Sequence, residues 1–325
     1  MAVAANALET YDLTTIREDL MNADNMISPT ETPFTSMIAD QGKAENTYHE
    51  WPLTALNAVN GSNRVAEGED APPVKAPTVA LRRGNYTQIS IKNVKVSSTS
   101  EWVDGAADIN KLAKQLAYAM KELKRDRETM LLASVPAIPG AAVGATVRQA
   151  AGLPSFLMTN VSRGAAPGAN PVLSGTTTGY PITAAVDGVL RTITEDLFNT
   201  VIQAVWTSGG EPKYALVGPD VKRTISKVFT GYTTKYSDGA SNKLINSVEI
   251  YQSDFGTVQI VPDRFQRSRD CFIIDPDKIS IDYGQTTKQE VLAKTGLTEN
   301  RLVSCEYTLT VGNEAACGIL ADIQP

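Results

Sequence analysis

The chain has 325 residues, of which 42% are hydrophobic and 20% charged, so it is long enough for two domains and apolar enough to fill their cores. Its formal net charge of −6 argues against a general nucleic-acid binder, because neutralising phosphates requires a clustered excess of Lys and Arg. The N-terminal segment lacks a signal-peptide pattern, and no stretch is apolar for the roughly 18 residues of a membrane span. The sequence therefore predicts a soluble intracellular protein with no membrane partner.

The first hundred residues contain many prolines and charges and few apolar runs. A short helix is predicted over 11–26, before the prolines that follow it. Segments 47–60 and 77–96 are predicted to be the two extended flanks of a long hairpin. Ordering a residue costs roughly 1 to 2 kcal/mol of backbone entropy, so this stretch has to bury its surface elsewhere. Other copies of the chain are the simplest source of that surface.

Glu67, Glu69 and Asp70 lie at the predicted tip of this hairpin, in a loop too long and too charged for a tight connection. Three roles are open to them: a metal or acid/base site, a solvated turn, or a contact with the basic side chains of a partner. Arg82 and Arg83 on the returning flank are candidates for that contact, because guanidinium groups bind carboxylates bidentately. We therefore treat these five residues as a candidate subunit interface.

A long amphipathic helix is predicted over 104–134, with Asp104 or Asp108 as its cap. If continuous, it would be about 45 Å long at roughly 1.5 Å per residue. Its charged face, 121–128, mixes signs at helical spacing, which favours self-paired solvated charge over a nucleic-acid patch.

The rest of the chain is predicted to begin with a loop-dominated connector, 136–181, and to end in strands. Between them we predict a helix from about 186 to the glycines at 209 and 210, a strand at 214–217, a helix at 219–229 and a polar loop around 232–239. The predicted strands are 248–252, 257–261, 271–274, 278–283 and 301–311. Because helices and strands are segregated along the chain, the predicted class is α+β.

Catalytic and cofactor-binding patterns are missing. The single histidine, His49, lies in an extended segment without an adjacent nucleophile, which favours a structural role over catalysis. Cys271, Cys305 and Cys317 lack zinc-site spacing and suit buried reduced thiols. No phosphate-binding, dinucleotide-binding or nucleophile-elbow motif occurs, so we predict no enzyme, no metal and no cofactor.

Several motifs in residues 10–71 resemble one family. They are Thr10-Tyr-Asp-Leu13, Arg17-Glu-Asp-Leu20, Ile27-Ser-Pro-Thr-Glu-Thr-Pro-Phe34, His49-Glu-Trp51 and Glu67-Gly-Glu-Asp-Ala71. They are similar to the major head protein family typified by phage SU10, whose members resemble Hong Kong 97-type capsid proteins of tailed phages. The remainder of the chain agrees with that family only in the order of its elements.

The resemblance implies an N-terminal arm, an extended hairpin loop, a peripheral domain with a long spine helix, and an axial domain. The implied ranges are 1–45 for the arm, 46–95 for the loop, 96–181 with 263–313 for the peripheral domain, 104–134 for its spine helix, and 182–262 with 314–325 for the axial domain. Many relatives carry a fused scaffolding region, whereas here the arm motif begins at Thr10, so any scaffold is expected to be separate. Some relatives crosslink a loop lysine to a neighbour, but no motif ties Lys75 to that role.

The implied function is a major capsid protein whose hexamers and pentamers form an icosahedral or prolate shell around double-stranded DNA. The DNA would lie on the inner surface without sequence specificity, and portal and decoration proteins would be further partners. The implied location is the virion capsid, assembled in the host bacterial cytoplasm. Two alternatives remain: an encapsulin-like nanocompartment shell, and a carboxylate-dependent hydrolase built on Glu67, Glu69 or Asp70.

Overall fold

The computed structural model describes residues 14, 27–70, 77–103, 105, 110–141, 146–175, 178–229, 249–294 and 296–324. The helices are α1 (Pro33–Met37), α2 (Ser98–Trp102), α3 (Lys111–Leu132), α4 (Glu195–Thr207) and α5 (Pro219–Phe229), with 3-10 turns at Leu153–Ser155, Pro276–Lys278 and Glu314–Ala316. The strands are β1 (Ala39–Lys43), β2 (Tyr48–Leu53), β3 (Leu81–Tyr86), β4 (Gln88–Ser97), β5 (Asn160–Ser162), β6 (Val172–Leu173), β7 (Pro181–Thr183), β8 (Tyr214–Val217), β9 (Ile250–Ser253), β10 (Gly256–Pro262), β11 (Cys271–Ile274), β12 (Ile279–Val291), β13 (Thr298–Val311) and β14 (Gly318–Leu320). The mixture of helices and sheets confirms the predicted α+β class.

A four-stranded sheet in the order β1-β12-β13-β4 packs against the long helix α3. Alternate residues of β13, such as Val303, Cys305 and Tyr307, are buried in one core with Leu123 and Leu131 of α3. Since side chains alternate across a strand, one face of β13 supplies this core. α3 corresponds to the long helix predicted at 104–134, and we call it the spine helix.

A six-stranded sheet in the order β5-β14-β11-β8-β10-β9 lies between two cores. Ala215 and Val217 of β8 face the core that contains α4 and α5, whereas Leu216 belongs to the core that contains α3. Both faces of β8 are buried for this reason, and the sequence shows an unbroken apolar run there. The sheet joins the two halves of the subunit.

The predicted hairpin has a short paired base. β2 and β3 are antiparallel, with Tyr48 opposite Tyr86 and Leu53 opposite Leu81. The next strand, β4, turns away and pairs with β13 instead of extending the hairpin. Only the base is a ribbon, and the described residues 54–70 contain no helix or strand.

Two helix starts were predicted wrongly. The spine helix begins at Lys111 and not at 104, because Asn110 accepts a hydrogen bond from Ala113 N and caps it. At 22 residues it is about 33 Å long, shorter than expected. The next helix, α4, begins at Glu195, capped by Thr194, and not near 186.

Other predictions agree with the structure more closely. The strand at 214–217, the helix at 219–229 and the strand at 271–274 are confirmed at their predicted bounds. The last two strands are longer than predicted, while α1, β1 and β14 were missed. The predicted helix over 11–26, apart from residue 14, and the polar loop around 232–239 lie outside the described residues. No helix in the described parts of the chain has the length and apolar character needed to cross a membrane.

Candidate assembly surface

The base of the hairpin is anchored to the body of the subunit by aromatic side chains. The Tyr48 ring lies 4.8 Å from that of Tyr86, which lies 5.0 Å from that of Tyr180. Burial, with the nearby Glu50, raises the pKa of Tyr48 to about 12, so its hydroxyl stays neutral. A Cβ on Gly84 would lie 2.6 Å from the Tyr48 ring, so the ring occupies space that only glycine leaves open. The ribbon is thereby fixed where it leaves the core.

His49 also belongs to this anchor. Its Nε2 lies 3.2 Å from Asp282 Oδ2 on β12. Burial alone would raise the pKa of Asp282, but hydrogen bonds from His49 and Thr310 outweigh it and leave that pKa lowered. The Thr310 and Ser280 hydroxyls contact the carboxylate and not the imidazole. His49 therefore connects two strands, as the structural interpretation predicts.

Beyond the ribbon, the loop 54–70 is a projecting segment without a core. Leu56 is 93% exposed and Val59 is 99% exposed, and Val65 is also exposed. We call residues 54–70 the projecting loop. A single exposed aliphatic side chain is ordinary, but three on one loop are an unburied apolar surface.

The three acidic candidates lie on this loop and are all exposed. Glu69 accepts a hydrogen bond from Ala66 N at 2.8 Å and returns its own N–H to Ala66 O, which forms a tight turn around Gly68. Gly68 has a φ of 84°, a left-handed conformation that favours glycine. No basic side chain of the described residues forms an ion pair with Glu67, Glu69 or Asp70. Among the described residues, the Glu69 carboxylate therefore has a backbone partner but no charged one, and all three side chains are exposed.

Arg82 and Arg83 have opposite environments because neighbouring residues of a strand point to opposite faces. The Arg82 side chain is 72% exposed, and its Nη2 lies 3.0 Å from Glu50 Oε2. The Arg83 side chain is only 7% exposed, and its Nη2 lies 3.5 Å from Glu314 Oε1 inside the same subunit. Of the two arginines, Arg82 alone is accessible to another chain.

A second exposed apolar region lies at the far end of the four-stranded sheet. Trp102 of α2 is 85% exposed, and Val291 and Leu297 at the β12–β13 turn are exposed as well. Trp102 lines a depression of about 390 Å³ with Val96 and Leu112. Sequence reasoning missed this region, because neither periodicity nor composition says which apolar residue the fold leaves uncovered.

Among the described residues, the acidic candidates belong to no metal-holding cluster. Within the described ranges, no group of three His, Cys, Asp or Glu side chains is placed to hold a metal ion. The depression at Trp102 is lined by none of Glu67, Glu69 and Asp70. Cys271, Cys305 and Cys317 are buried and unpaired, and burial raises the pKa of each thiol.

Comparisons with known proteins agree with this picture. Residues 5–324 match the family model described as SU10 major capsid protein. The major capsid protein of Escherichia phage Phieco32 is 35% identical over 123 residues, which are 38% of this chain. The match spans about a third, 34%, of the length of that relative.

Solved structures share the fold over nearly the whole chain. The capsid asymmetric unit of cyanophage A-1(L) superposes with a TM-score of 0.65 at 12% identity, covering 98% of this chain and 99% of that one. The phage G structure of major capsid and decoration proteins superposes with a TM-score of 0.56 at 10% identity, covering 100% of both chains. These likenesses show a Hong Kong 97-type capsid fold.

Proposed function

This chain belongs to the family of SU10 major capsid proteins, and on that basis we propose that it is the subunit of a tailed-phage head. Its copies form hexamers and pentamers, which close into an icosahedral or prolate shell. The shell encloses the double-stranded DNA genome. The subunit is assembled in the cytoplasm of the host bacterium and ends in the virion capsid.

The observation that carries this proposal is the projecting loop. Leu56, Val59 and Val65 are apolar side chains on a segment that makes no core of its own. Burying apolar surface contributes roughly 25 cal/mol per Å², so covering these side chains favours association. Neighbouring copies are the partner that a closed homomeric shell supplies at every position.

Charge complementarity supplies a second contact in the same proposal. Glu67, Glu69 and Asp70 of one copy contact Arg82 of a neighbour, which is exposed and, among the described residues, is paired with Glu50 alone. Arg83 is removed from the proposed interface, because its side chain is buried against Glu314. In this role the loop both buries apolar area and fixes the register between copies.

The proposed domain division keeps the arm at 1–45 and, apart from β4, the hairpin loop at 46–95. The peripheral domain takes most of 96–181 and 263–313, and the axial domain takes most of 182–262 and 314–325. We assign β5 and β11 to the axial domain, because both hydrogen-bond into the six-stranded sheet. We likewise assign β4 to the peripheral domain, because it pairs with β13.

Further partners follow from the role of a head subunit. Packaged DNA lies on the inner surface without sequence specificity. The net charge of −6 on each subunit disfavours tight binding of the DNA phosphates to the shell. Scaffolding, portal and decoration proteins are further partners, and the decoration proteins in the phage G structure support the last of these. Lys75 takes no part in a crosslink in this proposal.

We further propose that the subunit is not an enzyme. Its family is structural, and His49 hydrogen-bonds Asp282 instead of a nucleophile. A hydrolase built on Glu67, Glu69 or Asp70 would need these carboxylates held on rigid elements, and they lie on a loop without helix or strand.

Electron microscopy of the purified full-length protein tests the shell proposal. Closed shells or capsomer rings are expected, and a monomer that persists at every salt and protein concentration would contradict it. The encapsulin-like nanocompartment is not favoured, because the matching family and the solved neighbours are phage capsid proteins. Nucleic-acid and cargo analysis of shells isolated from cells separates the two, because a phage head contains DNA and a nanocompartment contains an enzyme and no DNA.

A further inference from the structure

Two acidic side chains meet in the interior, where the spine helix α3 contacts the segment after β10. Glu128 of α3 and Asp263 both have 0% exposure. The two carboxyl groups are hydrogen-bonded to each other. An ionised carboxylate can only accept hydrogen bonds, so this contact requires a proton on one of the two.

The neighbouring donors show where that proton is needed. Glu128 Oε1 accepts from Phe34 N at 2.7 Å and Glu128 Oε2 accepts from Thr35 N at 3.0 Å, so its carboxyl receives the first N–H groups of α1. Asp263 Oδ1 accepts from Phe265 N at 2.8 Å. Asp263 Oδ2 is buried without a donor from the described residues. A proton shared with Glu128 supplies the missing donor.

The surroundings contain no described positive charge that would replace the proton. From α1 the pair receives two backbone N–H groups, and from the segment after β10 it receives the Phe265 N–H, while the Thr35 hydroxyl donates to Thr32 O. No Lys, Arg or His in the described residues forms an ion pair with either carboxyl. Burial, with repulsion from Asp263, raises the pKa of Glu128 to about 7, and burial also raises the pKa of Asp263.

We propose that the proton shared by Glu128 and Asp263 is a pH-sensitive switch that holds the spine helix against the six-stranded sheet. Loss of the proton places two negative charges side by side in the interior. Glu128 keeps its two donors from α1, so the repulsion separates Asp263 from α3 and leaves α1 in place. The switch thus acts on the junction between the two halves of the subunit.

The direction of the effect follows from the raised pKa. The pKa of Glu128 is higher in the closed junction than in the open one. Closure is therefore most favoured at pH values below the ordinary pKa of a carboxyl group, and it weakens as the pH rises to about 7. Above that pH the closed junction has itself lost the proton, and the effect levels off.

Hydrogen exchange of the full-length protein tests the switch. After correction for intrinsic exchange rates, the equilibrium constant for opening at the Phe265 amide should rise by up to about tenfold per pH unit between about pH 5 and 7. The opening constants at the Phe34 and Thr35 amides should not rise over this pH range. Asp263→Asn should abolish the slope, because its amide donates permanently to Glu128 while its oxygen still accepts from Phe265 N. The exposed Asp254→Asn variant is the matched control and should keep the wild-type profile.

A flat wild-type profile, or an Asp263→Asn profile as steep as that of the wild type, would overturn the proposal. Infrared spectroscopy gives a readout that does not depend on the folding of Asp263→Asn. The wild type should lose a protonated-carboxyl absorption between about pH 5.5 and 8.5, and Glu128→Gln should lack that change. A change that persists in Glu128→Gln places the proton elsewhere and also overturns the proposal.

Discussion

The Arg83 guanidinium lies 3.5 Å from the Glu314 carboxylate, and both side chains are buried. Arg83 belongs to β3 at the base of the hairpin, and Glu314 lies in the 3-10 turn between β13 and β14. Glu314 also accepts hydrogen bonds from Met158 N, Thr159 N and the Thr159 hydroxyl. One carboxylate therefore ties the hairpin base to the connection between the two sheets.

Removing this carboxylate should strongly destabilise the subunit. Glu314→Ala leaves a buried guanidinium without its charge partner and three donors without an acceptor, so we expect the free energy of unfolding to fall by about 3 to 5 kcal/mol. Arg82→Ala is the matched control, since it breaks an exposed ion pair on the same strand and should cost less than about 1 kcal/mol. Denaturant unfolding measures both, and equal effects of the two variants would contradict the buried tie.

The apolar side chains of the projecting loop should matter for assembly and not for folding. In the triple variant Leu56→Ser, Val59→Ser and Val65→Ser, the free energy of unfolding of the subunit should change by less than about 0.5 kcal/mol per site, because these side chains are exposed. Shell yield by electron microscopy and sedimentation should fall sharply. Wild-type yield from this variant would refute the proposed role of the loop.

Charge reversal tests the contact between copies directly. The variant Glu67→Lys, Glu69→Lys, Asp70→Lys should assemble poorly because it places like charges against Arg82 of a neighbour. Arg82→Glu should also assemble poorly, and the combined variant should recover part of the wild-type yield. If the combination assembles no better than either parent, these residues do not face each other across the interface.

Asp322 predicts an acid-sensitive step in stability. Burial tends to raise its pKa, but hydrogen bonds from Gly164 N, Arg269 and Gly188 N outweigh this and hold the pKa below its usual value of 3.8. Because the pKa of Asp322 is lower in the folded protein than in the unfolded one, its ionised carboxylate stabilises the fold at pH values above the unfolded pKa. This stabilisation is lost as the pH falls through the pKa of the folded protein.

The Asp322→Asn variant isolates the charge, because asparagine tolerates the left-handed φ of 62° at this position. It should be less stable than the wild type by about 1 to 3 kcal/mol near neutral pH and should lose less stability on acidification. Unfolding measured from about pH 6 to 3 checks this. A variant that declines as steeply as the wild type would exclude Asp322 as the titrating group.

The sequence by itself determined the elements that local pattern specifies. The unbroken apolar run of β8, the proline that opens α5 and the alternation along β4 were sufficient to place those segments. The motifs in residues 10–71 indicated the family, and the polar composition of the loop indicated that it could not form a core.

Only the tertiary structure decided which residues near those elements are accessible. Arg82 and Arg83 are equivalent in sequence, but the pleat of β3 exposes one and buries the other against Glu314, 231 residues away in sequence. Glu128 looks like one more charge on a solvated helix face, and it is buried because α1 and Asp263 close over it. No local pattern records such long-range partners.

The error in the predicted start of α4 also comes from contacts between distant segments. Val186, Val189 and Leu190 continue its apolar helical spacing, yet they lie outside the helix. Val186 exchanges backbone hydrogen bonds with Ala169, and Arg191 N donates to Asp322 O. Backbone groups buried on folding must find partners, and here distant segments supply them in place of the helix. The sequence determines which local structures are available, whereas tertiary contacts decide which of them the backbone adopts and which side chains they leave exposed.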